Sequence, residues 1–332
     1  MWDVQQPIQP VAPPLSPVIV APRLRQGDVV GLITPASAVT DPSRVEQGTR
    51  YLERIGFHVK LGAHVGNVHG YLGGTDEDRA SDIHHMLLDP HVKALFTLRG
   101  GYGVTRILPR LDFTLFRRHP KIIAGYSDIT ALLLAVFKHA SLVTFHGPMV
   151  AVDFAGTVDQ YTEGLFWDML RSPRERTEII IADADTRNVL REGRARGRLL
   201  GGNLSLLTAM VGTPHLPDFN GSILFVEETG EEPYRVDRMF TQLLQSGVLN
   251  GVVGILGGQF TDCEPKDHSR PSLSITDVLH AVADELPVPF IAGCRFGHVA
   301  SNLTLPVGIL AEVDTDRSSL TLLEPAVSSG DG

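Results

Sequence analysis

Short apolar runs closed by glycine or proline alternate with helical stretches along the first half of the chain, and this constrains the fold more than any other feature. Val29-Val30-Gly31-Leu32-Ile33 runs into Thr34-Pro35, and Phe57-His58-Val59-Lys60-Leu61 runs into Gly62. Val92-Lys93-Ala94-Leu95-Phe96-Thr97-Leu98 ends in Arg99-Gly100-Gly101-Tyr102-Gly103, and Ile122-Ile123-Ala124 ends in Gly125-Tyr126-Ser127-Asp128. The first of these runs reads as a buried strand and the other three as strands. Between them, Val45, Tyr51, Leu52 and Ile55 mark a helix over 41–55. Asp76-Glu77-Asp78 place acidic groups in the first turn of a helix that runs to about Leu88, and another helix leads from Asp128 to about His139. Alternation of this kind predicts a parallel sheet covered on both faces, so residues 23–168 are expected to form one α/β domain.

The flanks read differently. Pro7, Pro10, Pro13, Pro14, Pro17 and Pro22 exclude a helix from residues 1–22, which are expected to form an extended arm. That segment has no basic head followed by an apolar run, so no secretory signal is expected. Between Arg171 and Arg198 stand eight arginines against five acidic residues, with polar breaks throughout, and 169–198 is expected to be a solvated crossover. Beyond it, Gly201-Gly202-Asn203 opens a helix, and Ser222-Ile223-Leu224-Phe225-Val226-Glu227 is a buried strand. Residues 233–246 form an amphipathic helix with Pro233 in its first turn. Strands at 252–256 and 288–292, a helix at 274–285 and β-like stretches over 303–323 complete a second, mixed domain, 199–325.

With 43% hydrophobic and 20% charged residues, the chain of 332 residues excludes long disorder over most of its length. A net charge of −9 argues against nucleic-acid binding, because phosphate contacts need a basic surface. No run of about eighteen apolar residues is present, so no spanning helix is expected and the protein is read as soluble. Cys263 and Cys294 stand far apart with no CxxC, which excludes a disulfide framework or zinc ribbon and fits a reducing cytoplasm.

Chemistry concentrates at strand ends. Gly125-Tyr126-Ser127-Asp128-Ile129-Thr130 puts Ser127 on a turn between strand and helix, beside backbone N–H groups suited to an oxyanion. It falls short of the G-x-S-x-G elbow because the fifth residue is Ile129, and the competing reading is that Ser127 or Asp128 caps the helix. Arg99-Gly100-Gly101-Tyr102-Gly103 lets backbone approach a ligand closely, or is a plain tight turn. In Glu227-Glu228-Thr229-Gly230-Glu231-Glu232, Glu227 is the carboxylate fixed most directly by the buried strand. None of the thirteen histidines stands in HExxH, and no metal site is expected. His146 and His298 each follow a strand, and spacing does not choose between them as a base. Serine, strand-end glutamate and loop histidine are what a serine hydrolase needs, since a hydroxyl attacks only when a base removes its proton and a carboxylate holds that base.

These stretches, with Gly73-Gly74-Thr75-Asp76-Glu77-Asp78-Arg79-Ala80, Phe145-His146-Gly147-Pro148-Met149, Gly201-Gly202-Asn203-Leu204, Pro233-Tyr234-Arg235-Val236-Asp237-Arg238, Gly258-Gln259-Phe260 and Phe296-Gly297-His298, resemble the LD-carboxypeptidases, serine peptidase family S66. The family includes muramoyltetrapeptide carboxypeptidases and microcin C resistance peptidases. The resemblance implies Ser127 as nucleophile, His298 as general base and Glu227 as orienting carboxylate. It places the oxyanion hole at the N–H groups of Gly101 and Asp128, and gives His146 a supporting role. It implies no cofactor, and a flavodoxin- or glutamine-amidotransferase-like parallel-sheet domain followed by a smaller, β-rich mixed one. The implied partner is a small peptide, murein tetrapeptide losing its terminal D-alanine, and the implied assembly a homodimer in the cytoplasm. A free carboxylate needs a cationic clamp, for which Arg99, Arg235 and the crossover arginines are candidates, with Gly100 and Asn203 as further substrate contacts. Microcin-type members act on aminoacyl nucleotides and add an aromatic-bearing loop, whereas 171–200 holds no Trp, Phe or Tyr. An α/β-hydrolase-type esterase and a non-catalytic peptide-binding module are the competing classes.

Overall fold

The computed structural model describes residues 17–183 and 187–330. Pro7, Pro10, Pro13 and Pro14 of the expected arm lie outside the described residues. In chain order the elements are β1 (Val29–Ile33), α1 (Pro42–Arg54), β2 (His58–Leu61), α2 (Asp76–Leu88), β3 (Val92–Thr97), α3 (Val104–Ile107), α4 (Phe113–Arg118), β4 (Ile122–Gly125), α5 (Thr130–Ala140), β5 (Thr144–His146) and α6 (Gln160–Arg171). They continue with β6 (Thr177–Ile180), β7 (Asn188–Arg191), β8 (Arg194–Asn203), α7 (Leu204–Ala209), β9 (Ser222–Thr229), α8 (Pro233–Gln245) and β10 (Gly254–Thr261). The last are α9 (Ile275–Glu285), β11 (Phe290–Ala292), β12 (Leu305–Val307), β13 (Leu310–Asp314) and β14 (Ser319–Leu322).

The first sheet has the order β2-β1-β3-β4-β5, all parallel, with β12 added antiparallel at the β5 edge. That order is one of the two common doubly wound arrangements, in which ligands bind outside the carboxyl ends of the strands where the order reverses. Local chemistry explains its helices. Thr75 Oγ1 accepts the Asp78 N–H while the Asp78 carboxylate accepts the Thr75 N–H, a capping box that starts α2 where the acidic triplet predicts. Asp41 caps α1, with Pro42 at the first helical position. α5 has no side-chain cap and is buried over most of its length, so tertiary packing holds it.

The second sheet is mixed, ordered β6-β14-β13-β8-β9-β10-β11-β7, with β8, β9, β10 and β11 parallel. It corrects the reading of 169–198 as a solvated crossover. That segment supplies the end of α6, β6, β7 and the first half of β8. Along β8, Ala195 and Gly197 turn inward while Arg194 and Arg196 face water, so the arginines conceal a strand alternation. Several are structurally engaged: Arg174 pairs with Asp168 at 2.7 Å, Arg194 with Asp314 at 2.9 Å and Arg198 with Glu324 at 3.1 Å. Arg171 lies over the rings of Phe57 and Trp167.

The expected boundary near 199 also differs from the structure. β12 belongs to the first sheet, pairing Leu305 with His146 and Val307 with Thr144. At the other end Ile19 bridges to Leu142 and Pro22 to Ser328, so both ends of the described chain return to the first domain. The core is one contiguous cluster of buried side chains drawn from both sheets. Among the described residues no helix is long and apolar enough to cross a membrane.

Candidate active site

Ser127 sits where β4 ends, in a 3₁₀ turn, Ser127–Ile129, that leads into α5. Its φ of 61° is left-handed, a conformation that costs a non-glycine residue about 1–3 kcal/mol and that turns the side chain out of the sheet edge. The capping alternative does not describe this turn. Neither Ser127 nor Asp128 caps the turn or α5; the Asp128 carboxylate instead accepts the Val104 N–H at 2.9 Å, tying the elbow to α3. Burial pushes the Asp128 carboxyl up to about 6.

The glycine turn after β3 packs directly on this elbow. A Cβ on Gly100 would lie 2.8 Å from Ser127 Cβ and 3.4 Å from the Asp128 amide nitrogen, so only glycine fits. Gly101 has φ 113°, and the loop after β1 braces it: Ser37 Oγ accepts the Tyr102 N–H at 3.1 Å, and the Ser37 N–H donates to Gly100 O at 3.4 Å. Ser37 went unread in the sequence, since nothing local marks a serine in the β1–α1 loop. At the rim, exposed Tyr102 and Tyr71 meet edge to face with centroids 5.6 Å apart.

Glu227 comes from β9 of the second sheet and His298 from the loop after β11. Glu227 lies near the end of the buried run of β9 and has no exposed surface, and its Oε2 accepts from His298 Nδ1 at 2.8 Å. Gly297, at φ 117°, lets the histidine loop lie over the carboxylate; a Cβ there would be 3.0 Å from Glu227 Oε2. Burial alone would push the His298 imidazole down, but the Glu227 hydrogen bond and charge, with Glu228 and Asp153 beyond, outweigh it and hold the ring above its ordinary value. The His298 ring packs edge-on against Tyr126, the residue before Ser127, at 5.0 Å. Tyr126 O–H reaches Asp153 at 3.5 Å, and Asp153 also accepts the Met149 N–H; burial pushes its carboxyl up to about 6. The fold thus brings Ser127, Glu227, His298, Gly100, Gly101 and Asp128 to one place.

The other candidates divide. Arg99 donates to the carbonyls of Gly100 and Ala38 and has no acidic partner among the described residues. Arg235 is half-exposed on α8, against Tyr234 and 3.5 Å from Glu231. Asn203 is buried and fully engaged: it caps α7, its N–H donates to Thr130 Oγ1, and its Nδ2 donates to Glu228 Oε1 at 3.0 Å. Glu228 is buried too and accepts from Ser205 and Thr229 as well. Among the described residues no group of three or more His, Cys, Asp or Glu is placed to hold a metal ion.

Fold and site together define a hydrolase of the serine peptidase class. Models of the LD-carboxypeptidase N-terminal and C-terminal domains match residues 30–147 and 196–313. A probable murein peptide carboxypeptidase of Bacillus subtilis (strain 168) is 40% identical over 309 residues, 92% of this chain and 95% of that protein. The crystal structure of muramoyltetrapeptide carboxypeptidase from Oxalobacter formigenes superimposes with a TM-score of 0.79 at 32% identity, covering 89% of this chain and 97% of that one. Microcin C7 self-immunity protein MccF of Escherichia coli is 29% identical over 94% of this chain and 98% of its own. A wild-type apo structure of MccF superimposes with a TM-score of 0.85 at 28% identity, covering 93% and 100%. The chain belongs to the LD-carboxypeptidase family, and it is a carboxypeptidase.

Proposed function

We propose that this carboxypeptidase releases the terminal D-alanine from murein tetrapeptide through an acyl-enzyme on Ser127, in cytoplasmic peptidoglycan recycling and as a homodimer. The observation that carries the reading is the 2.8 Å bond from His298 to fully buried Glu227, beside a serine on a left-handed elbow. With Nδ1–H given to Glu227, His298 Nε2 is the nitrogen that takes the Ser127 proton as Oγ attacks the amide between an L-centre and D-alanine. The N–H groups of Gly101 and Asp128 receive the developing oxyanion. His298 then passes its proton to the leaving amine, and water, activated by the same imidazole, hydrolyses the ester. Arg99 is the clamp for the terminal carboxylate, since its charge has no acidic partner among the described residues.

The murein names of the Bacillus subtilis and Oxalobacter formigenes relatives support this substrate. The likeness to MccF supports a second reading, cleavage of an aminoacyl-nucleotide amide. The absence of aromatic residues from 171–200 favours the first. Mass spectrometry of the purified protein with murein tetrapeptide, its all-L counterpart and an aminoacyl-nucleotide amide separates them. Loss of D-alanine from the first alone is expected. Cleavage of the nucleotide conjugate alone would move the chain to the microcin branch, and cleavage of none would favour a peptide-binding module.

A further inference from the structure

His146, at the end of β5, has no exposed surface, and neither ring nitrogen meets a hydrogen-bond partner. Its ring lies 6.0 Å from Tyr126, 5.4 Å from Phe225 and 6.3 Å from Phe296, centroid to centroid. Tyr126 immediately precedes Ser127. Phe225 is two residues before Glu227, on the same face of β9, and Phe296 is two residues before His298. His146 is therefore packed where the three segments that carry the serine, the glutamate and the histidine meet.

Three more buried polar atoms in this region have no partner: Glu227 Oε1, Asn302 Nδ2 and Thr304 Oγ1. Packing brings the segments that carry them against the His146 turn and Glu227. Thr304 packs on the residue after His146, so closely that a Cβ on Gly147 would lie 2.9 Å from Thr304 Oγ1. Asn302 Oδ1 accepts the Gly297 N–H at 3.1 Å, and Gly297 covers Glu227. Groups buried without partners are costly, and ordered water, with about three hydrogen bonds each, is what ordinarily satisfies them. The set is complementary: the carboxylate oxygen only accepts, the amide NH₂ only donates, and a neutral imidazole and a hydroxyl do both.

We propose that these four side chains share buried water behind the His298–Glu227 pair, and that through it His146 is a positioning residue that holds the second oxygen of Glu227. The assignment rests on the triad reading above. It requires a neutral ring, and burial pushes His146 down to about 4. The ionisable groups facing His146 are Glu227, His298 and Tyr126, and those facing His298 are Glu227, Glu228, Asp153 and Tyr126.

The test is an NMR titration of the His298 ring, without substrate, in wild type, His146→Leu and His146→Gln. Loss of the donor concentrates charge on the oxygen facing His298, so the midpoint is expected to rise by about half a pH unit or more in His146→Leu and to return in His146→Gln. In turnover, kcat is expected to fall about 10- to 100-fold in His146→Leu with KM little changed, and His146→Gln to recover most of it. A space-filling role would leave the midpoint in place in His146→Leu, and that result overturns the proposal. Should the leucine variant not fold, wild type decides: a slowly exchanging, hydrogen-bonded His146 ring N–H is expected, and its absence overturns the proposal. The titration needs no turnover, so continued activity in Ser127→Ala would sink the triad reading and leave this result standing.

Discussion

Glu227 and Glu228 are adjacent, both acidic and both buried, yet they face different tasks because successive side chains of a strand point to opposite sides. Glu227 meets His298, while Glu228 locks the start of α7 through Asn203 and Ser205. A strand position was enough to single out Glu227 in the sequence. The choice between His146 and His298 was not legible from spacing, because it depends on which ring reaches a carboxylate across the second sheet. The same pair fixes a pH dependence. A base must be neutral to take the serine proton, so kcat/KM rises as pH rises through the His298 pKa, which lies above the ordinary imidazole value. Glu227→Gln removes the charge that holds it there. The acid limb is expected to move to lower pH and kcat to fall about 10²- to 10⁴-fold. A limb that stays in place would show that Glu227 does not govern His298.

Elements whose signals are local were readable. The capping box fixes the start of α2, and apolar runs closed by proline or glycine locate β1, β3 and β4. β6, β7 and the start of β8 were not, because their pairing partners β14, β11 and β13 lie about a hundred or more residues away in the chain and arginines mask their alternation. The glycine turn after β3 is an element with a single steric purpose. Gly100→Ala would drive a methyl into the Ser127 side chain, beside the Asp128 amide. Turnover is expected to fall about 100-fold or more, the scale of losing an oxyanion donor, while the melting temperature changes little. Unchanged kcat in that variant would mean the turn does not form part of the site.

Across the whole molecule, the site exists only because two sheets are joined. Ser127 lies at the carboxyl edge of the first, Glu227 on β9 of the second and His298 in the loop after β11, and β12 carries the chain back to β5 directly after that loop. A sequence division into successive domains misses this return, since a three-residue strand leaves almost no pattern. One core spanning both sheets predicts one cooperative unfolding event. Trp167 packs against Phe96 of the first sheet, so its fluorescence reports that sheet, whereas circular dichroism reports both sheets. In urea the two signals are expected to share a midpoint, and separated midpoints would show halves that fold independently.

The central claim is that Ser127 is the nucleophile, and release of D-alanine from murein tetrapeptide by wild type and by folded Ser127→Ala tests it most directly. The wild type is expected to release it, and the variant to lose about a thousandfold or more of kcat, as removal of a triad nucleophile does. A folded Ser127→Ala protein that releases D-alanine at the wild-type rate would contradict the account.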